Sequence, residues 1–137
     1  MSLLRGNDAY SVTLNGLTGI KDILTLYEEN GLKITITKRY SIGRYIAYKV
    51  IIENLTSQEV NIKNHPQGYY GVIQKQKYDH EILHSTNEHP RDNYLLQSGE
   101  RKELIIKFNT DQRIERLGIE LENNRIIEIP IKDLVTT

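Results

Sequence analysis

The chain has 137 residues, with 18 basic against 18 acidic side chains, a formal net charge of zero and no cysteine. One domain of this size can hold a core without a staple, and the missing thiol excludes cysteine catalysis, cysteine-zinc sites and a disulfide framework. Balanced charge removes the long-range field that draws a protein to nucleic acid or an anionic membrane, and no apolar run approaches the ~20 residues that span a bilayer.

Isoleucine is the commonest apolar residue, nine tyrosines stand against one phenylalanine, and alanine is nearly absent. Branched and aromatic side chains favour pleated surfaces, so strands are expected throughout. Met1-Ser2-Leu3 has the form of a vector-derived start; residues 1–9 read as a tail and residues 10–137 as a single domain, with a native leader or anchor expected to have been removed upstream. Tyr10 to Leu14 alternates and reads as the first strand. In Ile20 to Glu29, Ile20, Ile23, Leu24 and Tyr27 fit a helical spacing, yet the following Asn30-Gly31 is a hairpin dipeptide that favours strand on both sides.

Leu32, Ile34 and Ile36 alternate with polar residues until Lys38-Arg39, where the strand is expected to end. Ile46, Tyr48, Val50 and Ile52 form the next inward set, leaving Lys49 and Glu53 at outward, solvated positions. Asn54 to Ser57 has the length of a hairpin connection to Val60 and Ile62. Asn54-Leu55-Thr56 also fits the N-glycosylation pattern, but reads as that turn. The stretch His65 to Asn93 is irregular, with short strands expected at Tyr70 to Gln74 and Glu81 to His84. After a Ser98-Gly99-Glu100 turn, Leu104, Ile106 and Phe108 alternate, then Leu117, Ile119 and Leu121, an Asn123-Asn124 turn, and Ile127, Ile129 and Ile131. Pro130 lacks the amide a central ladder needs and assigns the last strand to an edge or an end. The pattern predicts an all-β fold, an antiparallel immunoglobulin-like β-sandwich of roughly eight or nine strands.

All four histidines lie between His65 and His89. His80 and His84, four apart, share a face in a regular strand; with His89 they are the candidate ligands of a metal or small-molecule site, although no established ligand spacing is present and no cofactor is expected. Carboxylates sit beside lysine or arginine at outward positions, and neither a phosphate-binding glycine loop nor a nucleophile elbow occurs, so no catalytic residue is assigned. Tyr69, Tyr70, Tyr78 and Tyr94 are the candidate protein-contact residues, because an amphipathic ring suits an interface. Tyr69 and Tyr70 must face opposite ways if extended, so one of the two is expected to be exposed.

Two segments carry a family resemblance. Gly43-Arg44-Tyr45-Ile46-Ala47-Tyr48-Lys49-Val50-Ile51-Ile52-Glu53-Asn54-Leu55-Thr56-Ser57-Gln58-Glu59-Val60 resembles the strand and polar turn of bacterial immunoglobulin-like accessory domains. Leu96-Gln97-Ser98-Gly99-Glu100-Arg101-Lys102-Glu103-Leu104-Ile105-Ile106-Lys107-Phe108 is similar to their later turn and strand, with Ser98 where proline is usual. The resemblance implies an exported, non-catalytic module of a Gram-positive lipoprotein or envelope-anchored protein, and it carries no functional residue onto this chain. The expected partner is another protein, and the expected state a monomer or weak dimer.

Overall fold

Asn30 and Gly31 take positive φ (51° and 82°), the two-residue turn that matches strand twist, and they join β1 (Leu17–Glu29) to β2 (Leu32–Ile42). The strand reading of residues 20–29 therefore holds, within a longer strand. The computed structural model describes residues 17–62, 69–78, 80–85, 94–121 and 125–132, with 80–85 and Tyr94 described through their backbone alone. The remaining strands are β3 (Tyr45–Asn54), β4 (Val60–Ile62), β5 (Tyr69–Ile73), β6 (Gln76–Tyr78), β7 (His80–Ser85), β8 (Tyr94–Leu96), β9 (Arg101–Phe108), β10 (Arg116–Glu120) and β11 (Ile126–Pro130). No helix occurs among the described residues. The expected strand at Tyr10 to Leu14 and the turn at Asn123-Asn124 lie outside them.

The fold is an all-β sandwich. A five-stranded sheet in the order β1-β2-β3-β9-β7 and a four-stranded sheet in the order β11-β10-β5-β6 are antiparallel throughout, and β4 pairs with β8 in a small third sheet. Eleven strands among the described residues exceed the eight or nine expected. β6 and β8, three residues each, are the additions; so short a segment leaves no alternation to read. Pro130 ends β11, an edge strand, as its missing amide requires.

The core lies between the two large sheets. Ile34, Ile36, Tyr48, Val50, Ile52, Leu104, Ile106 and Phe108 face Tyr69, Leu117, Ile119, Ile127 and Ile129 in one buried cluster. Tyr48 and Phe108 meet at 6.2 Å between centroids, and the Tyr48 hydroxyl accepts a hydrogen bond from the Ile114 amide at 3.1 Å. A buried phenol thus has the polar partner it needs.

Two expectations are corrected here. β2 does not stop at Lys38-Arg39: it runs to Ile42, with Thr37 skipped in the pairing between Ile36↔Val50 and Lys38↔Lys49. An extra residue reverses the facing beyond it. Leu32, Ile34 and Ile36 enter the core, whereas Tyr40 and Ile42 join Ala47 and Ile105 in a second buried cluster on the other side of the sheet. Nor does Asn54 to Ser57 close a hairpin, because β4 pairs with β8. The reason is Asn54, fully buried, whose side-chain amide donates to the carbonyls of Gln58 (2.7 Å) and Leu96 (2.8 Å) while its Oδ1 accepts from the Thr56 amide (2.9 Å) and hydroxyl (2.6 Å). A side chain with four partners inside the protein is a junction, not a sugar acceptor. Ser98 adds a bond from its hydroxyl to the Thr56 carbonyl at 2.6 Å, tying the same loops.

Candidate functional site

Of the histidines, His80 and His84 lie on β7, while His65 and His89 fall outside the described residues. The register pairs His80 with Phe108 and His84 with Ile105, residues three apart on β9, through a shift between Ile82 and His84. The four-residue spacing therefore does not run through an unbroken ladder, and the common-face argument drawn from it lapses. Among the described residues no group of three or more His, Cys, Asp or Glu is placed to hold a metal ion.

The tyrosines divide. Tyr69 is fully buried and part of the core, which corrects its place among the contact residues: it stands opposite Ile119 and faces inward with it. Tyr70, its neighbour, points outward as alternation demands. Its ring lies over Gly118, where an added Cβ would sit 2.2 Å from the ring, and its hydroxyl donates to Glu128 Oε2 at 2.7 Å. Lys77 Nζ stands 4.5 Å from the ring centroid. Burial, reinforced by the Glu128 carboxylate, raises the phenol above its ordinary range. These contacts tie β6, β5, β10 and β11 together on their outer face. Tyr78 is half-buried against the core, and Tyr94 begins β8 opposite Ile62.

Lys49 departs furthest from its expected solvated position. It is 5% exposed, 3.6 Å from Glu103, and flanked on the sheet by Lys38. Burial lowers its ammonium below the usual lysine range, against the opposing pull of Glu103.

The surface that sequence reasoning missed is β1. It is an edge strand, paired only with β2 among the described strands, and at 13 residues it is the longest in the molecule's described part. Ile20, Leu24 and Leu26 are 48%, 47% and 61% exposed, while Ile23 and Thr25 between them are buried. Leu24, Leu26 and Tyr27 line a largely apolar cleft of about 380 Å³ with Ile129 and Pro130, where the edges of the two sheets meet. Thr25 closes its floor: its Oγ1 accepts from the Lys132 amide at 2.9 Å and donates to the Lys132 carbonyl at 3.4 Å. At one end, Tyr27 donates to Glu29 at 2.6 Å and Arg125 to the other carboxylate oxygen at 2.8 Å. The signal was present in the sequence as apolar residues on both sides of one segment, which blurred period two and made the segment resemble a helix.

No family model and no curated relative matches the chain. Among solved structures it is similar to a functionally unknown protein from Listeria monocytogenes EGD-e, with a TM-score of 0.60 and 10% identity over 90% of this chain and 92% of that one. At that identity the likeness speaks for the fold alone.

Proposed function

We propose that the chain is a non-catalytic, immunoglobulin-like module of a bacterial envelope protein whose work is protein contact, made along β1 and the cleft beside it. One observation carries this reading: the longest described edge strand presents Ile20, Leu24 and Leu26 to solvent and adjoins an apolar cleft. Edge strands normally avoid such a surface through shortness, charge, proline or bulges; β1 carries Asp22, Glu28 and two register shifts against β2, yet keeps these three apolar side chains in solvent. An extended segment laid against β1 would gain main-chain hydrogen bonds from the ladder and specificity from alternate side chains, every second one reaching the cleft. The zero net charge fits a partner chosen by shape and backbone more than by long-range attraction.

The test is an anisotropy titration of a labelled, alternating valine–threonine peptide. Saturable binding is expected with the natural chain, and at least about tenfold weaker binding with the Leu24→Lys/Leu26→Lys variant, whose substitutions desolvate a charge on docking. Absent binding, or binding indifferent to both lysines, overturns the assignment.

A further inference from the structure

We infer that the segment received by β1 is β1 of a second copy, the two strands pairing antiparallel about a two-fold axis at Ile23. This rests on the reading of β1 as the contact edge and names its occupant. Ile23 is the midpoint of Leu17–Glu29, so an axis there sets the two strands against each other end to end, roughly 43 Å; exposed and more buried residues alternate along the whole strand even though its pairing with β2 shifts register at Leu17/Gly19 and Asp22/Thr25.

Opposed residues in an antiparallel pair share a face, and an axis through a residue sets outward side chains against outward ones. With the axis at Ile23, exposed Ile20 meets exposed Leu26 of the second copy, twice by symmetry. On the inward face Gly19 meets Tyr27, so an aromatic ring covers a glycine, the device that Tyr70 and Gly118 already use within the chain. Lys21 falls opposite Thr25 and Asp22 opposite Leu24, so no like charges face each other. Neighbouring axes are worse: at Asp22 that carboxylate faces its own copy, at Leu24 Ile20 faces Glu28, and at Thr25 Asp22 faces Glu28 in both halves.

The other edges of the two large sheets offer less. β6 has three residues, β11 has five and ends in Pro130, and β7 has six, each less than half the length of β1. Zero net charge means that two copies approach without mutual repulsion.

Sedimentation velocity of the full chain across a dilution series should show a dimer that dissociates on dilution, while Leu26→Lys stays monomeric at every concentration with an unchanged thermal melt. Because the chain has no cysteine, register can be read directly: mixing Ile20→Cys with Leu26→Cys chains under mild oxidation should give the mixed disulfide in excess over either homodimer, since only directly opposed residues reach bonding distance. A natural chain that is monomeric throughout, a dimer that survives Leu26→Lys, or preferential Leu24→Cys homodimers would each overturn the inference. Monomers that still bind the valine–threonine peptide would remove the second copy as occupant and leave the contact edge standing; monomers that bind no peptide would remove both.

Discussion

Lys49 shows how a single position can obey strand alternation and still sit in the wrong environment for its type. Its side chain points away from the core, as the pattern predicts, yet that side of the sheet is itself covered: Tyr40, Ala47 and Ile105 are all buried around it. The ammonium is held by Glu103 and destabilised by burial, an arrangement whose net value is small while both partners remain. Lys49→Asp places a second carboxylate beside Glu103 in a largely buried site and should cost about 3 kcal/mol in urea melts, whereas Lys49→Met should cost far less. Asn54 and Tyr69 teach a related lesson. A glycosylation triplet and a tyrosine pair can be read from sequence, but a triplet does not reveal four internal hydrogen bonds, and two adjacent tyrosines do not reveal which ring faces inward.

At the level of strands, legibility followed the regularity of the alternation. β10 and β11 have one clean apolar face, and β3 and β9 keep an unbroken inward alternation although Ala47 and Ile105 are buried on the other side, so the inward residues of all four emerge in the core as the pattern requires. β1 and β2 are harder because each carries apolar residues on both sides, and β4, β6 and β8 because three residues are too few. The outer face of the four-stranded sheet depends on a pairing that no periodicity shows, the Tyr70 ring over Gly118. Gly118→Ala should destabilise by roughly 2 kcal/mol, because the new methyl occupies the ring's place. Adding Tyr70→Ala should recover part of that loss, so that a double-mutant cycle in urea shows a clear departure from additivity. Equal costs in both backgrounds would mean that the ring does not constrain Gly118.

For the molecule as a whole, the two large sheets are linked at the β1 side by Tyr27, Glu29 and Arg125. The Arg125 hydrogen bond, then that of Tyr27, hold the Glu29 carboxyl below its ordinary 4.5, while the Glu29 hydrogen bond raises the Tyr27 phenol above 10.0. For a depressed carboxyl, the stabilisation is complete above the unfolded value and disappears as pH falls through the folded one. Glu29→Gln should therefore flatten the acid limb of the stability curve, by under about 1 kcal/mol because the pair is partly solvated; an unchanged limb would show that the link carries no stability. The balanced charge also leaves the β1 edge without a long-range field to repel another copy. Thr37 has a consequence of a different kind, one of counting. Because one supernumerary residue decides which side receives Tyr40 and Ile42, the chain's tolerance of change there is a matter of length before chemistry. Exchanging Thr37 for serine keeps the reading frame of the sheet, whereas deleting it transposes both side chains to the opposite face, so variation among descendants of this sequence should run through substitutions at this position and avoid gaps.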